Sequence, residues 1–195
     1  RGVSVLRLFQ ADYLKTTLLI WLAFITVMAA YYFISSWTPT LLEEAGMSKA
    51  SSQTVGMAIS IGGAAGSLLF GFLVSRWGVR TMLLAFAGLA AAAVCAFVPA
   101  TANLSLALVL AVVLGALSNG CIAGLYTLNP SLWEADFRST GVAVAIGVGR
   151  VGSMVSPMLV GRLLDAGWQK NQLYFGAAIV LLLAMTAVAG LRQRV

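Results

Sequence analysis

Charged residues are absent from several long apolar stretches of this 195-residue chain. The longest lies between Arg80 and Glu134 and holds 53 uncharged residues, more than one membrane crossing needs. A helix crosses the hydrocarbon layer of a bilayer with about 20 apolar residues, and it satisfies its backbone hydrogen bonds internally. Because the runs are continuous and do not alternate, they predict membrane-spanning helices and not the strands of a barrel.

The gaps between charges predict six crossings and therefore an all-α membrane protein built as a single six-helix bundle. The runs are 16–37, ended by Pro39; 54–74; a third that ends near Val98; 104–128; 139–161; and one between Asn171 and Leu191. The segment 99–103 supplies the turn that splits the longest stretch. Composition agrees, since 9% of the residues are charged against about 25% in soluble domains.

Basic residues predict the orientation, because positively charged loops stay in the cytoplasm. With six crossings the two ends share a side, which would carry Arg1, Arg7, Lys15, Arg76, Arg80, Arg138, Arg192 and Arg194. The opposite loops hold Lys49, Arg162 and Lys170. We therefore expect both ends in the cytoplasm and a multi-pass protein of the cell inner membrane. The first residue is Arg1 and not Met, which indicates a piece of a longer chain.

The chain repeats itself at an offset of about 90 residues. Pro39-Thr40-Leu41-Leu42-Glu43 corresponds to Pro130-Ser131-Leu132-Trp133-Glu134, and the glycine-rich stretch from Gly62 corresponds to that from Gly152. Two three-helix units, 16–98 and 104–191, are thereby predicted. Three is odd, so the second unit is inverted relative to the first, an arrangement typical of secondary transporters.

Arg150 interrupts an otherwise uncharged 23-residue run from Ser139 to Gly161, with eleven residues on either side. Helical rise then places its guanidinium near the centre of the membrane, where a charge is costly and marks a functional site. We predict that it binds the carboxylate of a transported substrate through two parallel hydrogen bonds. The alternative is a structural ion pair with an acidic side chain of another six-helix half.

Three further residues within the runs are candidates for contact with a substrate. Tyr31 and Tyr32 can stack on an aromatic ring, although tyrosines also gather at the lipid interface. Asn119 can contact a substrate or tie two helices together. We retain all three, with Arg150, as candidate substrate-binding residues.

The segment Gly71-Phe72-Leu73-Val74-Ser75-Arg76-Trp77-Gly78-Val79-Arg80 resembles the cytoplasmic signature loop of the major facilitator superfamily, G-x-x-x-D-R-x-G-R-R. Ser75 stands where the family has an acid, and a single Arg80 replaces the basic pair. The segments 31–42, 133–141 and 147–152 are similar to the aromatic acid:proton symporter family within it.

This resemblance implies helices seven to twelve of a twelve-helix proton-coupled carrier, whose partners are its N-terminal six-helix half, the lipid bilayer, protons and a small organic anion. Carriage of a sugar or a non-aromatic acid is the alternative within the superfamily. The signature loop, with Gly71, Ser75, Arg76, Gly78 and Arg80, would act with Glu134 and Arg138 in closing the cytoplasmic gate. These charges are compatible with ion pairs that close the gate and equally with a solvated loop.

Other classes of function fit less well. The chain has no histidine and no carboxylate within a run, which argues against an enzyme, and nothing indicates a metal or another cofactor. It lacks a G-x-x-x-x-G-K-[ST] loop for a nucleotide. Its Lys and Arg residues are scattered singly, so no nucleic-acid surface is expected despite a net charge of +6. A channel or a membrane scaffold remains an alternative.

Overall fold

The computed structural model describes residues 6–191, and this part of the chain contains six helices long and apolar enough to cross a membrane. They are α1 (Ala11–Glu44), α2 (Lys49–Trp77), α3 (Val79–Ala100), α4 (Leu104–Leu128), α5 (Arg138–Asp165) and α6 (Lys170–Gly190). A 3-10 turn, Asn129–Leu132, follows α4. The prediction of an all-α membrane protein with six crossings is confirmed.

The end of α1 differs from the prediction. Pro39 was expected to stop the helix, but α1 continues through it to Glu44. A proline removes one backbone hydrogen bond, and here the following turn compensates by burying Leu41 and Leu42. The ring of Pro39 also packs on α2, where a Cβ added at Gly56 would lie 3.0 Å from it. Pro157 likewise lies inside a continuous α5.

The six helices pack in an interleaved order. We call the end at which α1, α3 and α5 begin the basal end, and the opposite end the apical end. At the centre, α1 and α4 touch each other; α5 packs on α1 and α2 packs on α4. On the far side, α3 lies against α4 and α6, and α6 lies against α1. Exchanging α1–α3 with α4–α6 reproduces these contacts, whereas the contacts of α2 with α1 and α3 have no counterpart of similar extent.

Small residues permit the two closest crossings. Gly62 and Gly66 of α2 face the backbone of Val112 and Ala116 of α4. On the other side of the bundle, Gly152 of α5 faces the backbone of Ile25, and the hydroxyl of Ser156 donates a hydrogen bond of 2.8 Å to the carbonyl of Ala29. Interfaces of this kind are typical of membrane helices, which associate through close packing and not through a hydrophobic effect.

A buried amide fastens the basal end of α4 to α5. Asn129 is fully buried; its Oδ1 accepts a hydrogen bond of 2.9 Å from the indole Nε1 of Trp133, and its Nδ2 donates one of 3.3 Å to the carbonyl of Val142. The Trp133 ring lies so close to Gly141 that no Cβ fits there. Tyr13 of α1 and Phe137 pack on the same ring. This contact fixes the turn that leads into α5.

Replacing Asn129 with leucine is therefore expected to destabilise the bundle by about 1 kcal/mol, because the indole N–H of Trp133 loses its acceptor. The measurement is the thermal unfolding of the full-length protein in detergent. Trp133→Phe provides the control. Asn129→Leu should destabilise this variant less than it destabilises the wild type, because no indole N–H is left without a partner. An equal loss of stability from Asn129→Leu in the wild type and in Trp133→Phe would show that the amide does not hold the indole.

Candidate functional site

Arg150 lies near the middle of α5, twelve residues after the helix begins at Arg138. At helical rise this is about 18 Å from the basal end of the helix. The residue is exposed, and its guanidinium has no hydrogen bond or ion pair with any of residues 6–191. A mid-span cation without a partner inside its own bundle requires an anion or water from elsewhere.

The packing of α5 defines which way Arg150 faces. Gly149, Gly152 and Ser156 face α1, whereas Val151, Val155 and Leu159 line a groove on the side toward α6. Successive residues of a helix are about 100° apart, so Arg150 and Pro157 lie on the remaining face, away from that groove. Arg150 therefore borders the side of the bundle where α1 and α4 are also accessible.

An aromatic pair lies at the same level as Arg150. The Phe24 side chain is fully buried and packs against Gly149, the neighbour of Arg150, where an added Cβ would lie 2.9 Å from it. On its other side, the Phe24 ring meets the Tyr126 ring of α4 edge to face at 5.8 Å. Tyr126 is 37% exposed. Gly149, next to Arg150 in the chain, and Tyr126 thus flank Phe24 from two helices.

The other three candidates lie nearer the apical end. Tyr31 and Tyr32 are seven or eight residues beyond Phe24 on α1, and their rings meet edge to face at 5.5 Å. Asn119 is seven residues before Tyr126 on the antiparallel α4, so it lies at the level of Tyr31, about 10 Å from that of Arg150. Its amide packs over Gly63 of α2, 3.1 Å from the position of an added Cβ.

Sequence reasoning missed Tyr126. The residue lies close to the end of its apolar run, where a tyrosine is ordinarily assigned to the lipid interface. The depth of Phe24 and the contact between α1 and α4 instead bring Tyr126 level with Arg150. A signal was present in principle, since Tyr126 is the only aromatic residue in the run 104–128.

The signature loop forms the basal turn between α2 and α3. Gly78 has φ +78°, which favours glycine, and its N–H closes α2 on the carbonyl of Val74. The guanidinium of Arg80 donates to the carbonyl of Ala189 at the end of α6, where a cation is favourable to the helix dipole. Ser75 only bonds the carbonyl of Phe72, at 2.7 Å. No neighbour lies within 4 Å of a Cβ placed at Gly71.

The charges of the α4–α5 linker have separate partners. Arg7 approaches Asp136 at 3.7 Å, and the Nε of Arg138 donates to the carbonyl of Trp133 at 3.3 Å. Neither Glu134 nor Arg76 has a side-chain partner among residues 6–191. The structure therefore brings neither Arg76 nor Arg80 into an ion pair with Glu134, and both Glu134 and Arg76 are exposed.

Comparison with curated proteins finds relatives that are named as transporters of aromatic acids. The chain is 31% identical to the 3-(3-hydroxy-phenyl)propionate transporter of Escherichia coli over 96% of its length and 46% of the relative. It is 29% identical to the benzoate transport protein of Acinetobacter baylyi, over 81% of the chain and 34% of the relative. The 4-hydroxybenzoate transporter PcaK of Pseudomonas aeruginosa is 25% identical over 93% of the chain and 40% of its own length.

The chain spans less than half the length of each of these relatives. Its six helices accordingly correspond to a half of the twelve-helix fold. The Major Facilitator Superfamily profile matches residues 19–194, which is nearly the whole chain. Together with the six apolar spans, this match establishes that the chain belongs to the major facilitator superfamily of transporters.

Proposed function

We propose that this chain is the C-terminal half of a secondary active carrier that moves a small aromatic carboxylate across the cytoplasmic membrane by alternating access. The unpartnered guanidinium of Arg150 at mid-span carries the proposal. Its planar fork matches a carboxylate, and the interaction strengthens in a cavity of low dielectric. Relatives named for benzoate, 4-hydroxybenzoate and hydroxyphenylpropionate support an aromatic cargo.

The binding site of this proposal has two levels. Arg150 holds the carboxylate, and the half-exposed ring of Tyr126 borders the aromatic ring of the substrate. Tyr31, Tyr32 and Asn119 contact substrate about 10 Å nearer the apical end, along the same path. The N-terminal six-helix half supplies the opposite wall of the cavity. Rocking of the halves then exposes Arg150 to one side of the membrane at a time.

Coupling to protons belongs to the same proposal. All six Asp and Glu side chains lie at helix ends or in linkers, away from mid-span: Asp12, Glu43, Glu44, Glu134, Asp136 and Asp165. The proton acceptor of a symporter would therefore belong to the N-terminal half or be the substrate carboxylate itself. With the basic loops in the cytoplasm, inward movement of an anion together with a proton is driven by the gradient across the inner membrane.

Counterflow into vesicles that contain the full-length protein tests this function. We expect saturable exchange of labelled benzoate-type acids, weaker exchange of a muconate-type diacid and no exchange of a sugar. Uptake should collapse when an uncoupler removes the proton gradient, whereas counterflow at equal proton activity should persist. Exchange of the sugar in preference to the aromatic acids would contradict the proposal, and so would a conductance typical of a channel.

A further inference from the structure

An apolar groove separates α5 from α6 on the side of the bundle away from Arg150. Its volume is about 480 Å³; Ala29 and Phe33 of α1 form its floor, and Val155 and Leu159 of α5 and Gly176 and Val180 of α6 form its walls. The two flanking helices barely touch each other. All of these residues lie within candidate membrane spans and have apolar side chains, so the groove suits a hydrocarbon chain better than water.

The apical mouth of this groove has a different character. Trp168 lines it and is 43% exposed, as is typical of a tryptophan at the level of the headgroups. Arg162 is exposed, continues the stripe formed by Val151, Val155 and Leu159, and has no side-chain partner among residues 6–191. It lies twelve residues beyond Arg150, about 18 Å, which reaches the boundary of the hydrocarbon layer if Arg150 is at its centre.

We propose that the groove binds one acyl chain of an anionic phospholipid, whose phosphate pairs with Arg162. A guanidinium donates two parallel hydrogen bonds to phosphate, and Trp168 covers the glycerol region at the mouth. The proposal rests on the proposed function in one respect: the Arg150 side of α5 faces the other half of the carrier, so that the groove side faces lipid. The apolar groove alone does not select among lipids. Arg162 favours a lipid of net negative charge over phosphatidylcholine, whose choline cation would lie beside the guanidinium.

Gly176 offers a direct way to fill the groove. Nothing lies within 4 Å of a Cβ added there, whereas a Cβ at Gly152, which also lines the groove, meets the backbone of Ile25. Gly176→Phe therefore adds bulk to the groove without displacing backbone. Ile179→Phe is a matched control, since Ile179 is 59% exposed on the same helix and does not line the groove.

The experiment measures lipid retained by the full-length carrier in native mass spectrometry, with phosphatidylglycerol and phosphatidylcholine as the probes and no substrate present. We expect the wild type to retain phosphatidylglycerol preferentially, and Gly176→Phe to lose retention of both lipids at this site. Arg162→Gln should weaken phosphatidylglycerol retention about tenfold and remove the preference, because a hydrogen bond to a charged group is lost. Ile179→Phe should behave as the wild type.

Equal retention by the wild type and Gly176→Phe would overturn the proposal, as would retention that Arg162→Gln leaves unchanged. A parallel measurement adds benzoate, which should leave the lipid bound. Displacement of the lipid would overturn the proposal as well, because it would identify the groove as a substrate site. The readout is independent of transport. If the carrier failed the counterflow assay but bound lipid in this pattern, the proposed function would be wrong and the lipid site would stand.

Discussion

Replacing Arg150 with lysine in the full-length carrier is expected to all but abolish uptake of the aromatic acid, with a loss of roughly ten- to a hundredfold, while the protein still reaches the membrane. Lysine keeps the charge but cannot make the paired hydrogen bonds of a guanidinium. A bond to a charged group contributes about 1.5–3 kcal/mol, which corresponds to one or two powers of ten in affinity. Initial rates of labelled benzoate uptake, normalised to protein in the membrane, provide the measurement.

Arg162→Lys is the control, because it makes the same exchange on the same helix about 18 Å away. It should leave uptake within about twofold of the wild type, since Arg162 lies outside the proposed cavity. The Arg150→Lys result also separates the two explanations of Arg150. A structural ion pair with the other half tolerates lysine, so unchanged uptake would favour that explanation and remove Arg150 from the substrate site.

The crossing of α2 and α4 should be the most sensitive part of the fold. A Cβ at Gly115 would overlap the backbone carbonyl oxygen of Ile59, and a Cβ at Gly66 would overlap that of Ala116. Because backbone cannot rotate aside as a side chain can, we expect Gly115→Ala and Gly66→Ala each to destabilise the bundle by about 3 kcal/mol. Thermal unfolding in detergent and the yield of monodisperse protein measure the effect.

Gly71→Ala is the matched control, on the same helix as Gly66, because no atom lies within 4 Å of its added Cβ. A methyl group there should leave stability unchanged or raise it slightly, since alanine favours a helix over glycine. If Gly115→Ala were as stable as Gly71→Ala, the two helices would have to be farther apart than the structure has them.

Charge spacing predicted the spans well because membrane helices are bounded by the cost of burying charge. The fourth run, 104–128, has the same bounds as α4. Pro39 misled the prediction because a local rule for proline does not include the tertiary contact with Gly56 of α2. The inverted three-helix units stay a prediction, which the exchange of helix contacts supports.

The candidate site was less accessible from sequence. The depth of Arg150 followed from the symmetry of its run, but its face on α5 required the contacts of Gly149 and Gly152. The sequence marks Tyr126 only as the single aromatic residue of its run, because its position beside Phe24 depends on how α1 and α4 are rotated about their axes. Asp136 approaches Arg7 and not the signature loop, a pairing between segments that spacing does not relate.

The interleaved packing has a consequence for how the protein is made. Although α1 already contacts α2 and α4, its most extensive contacts are with α5 and α6, which the ribosome synthesises last. Membrane insertion of α1 therefore precedes most of its packing, and the bundle is complete only after α6 has been inserted. A chain released after α3 would leave the narrow contact surface of Gly62 and Gly66 without α4 to receive it, and quality-control proteases of the membrane would meet an unassembled substrate.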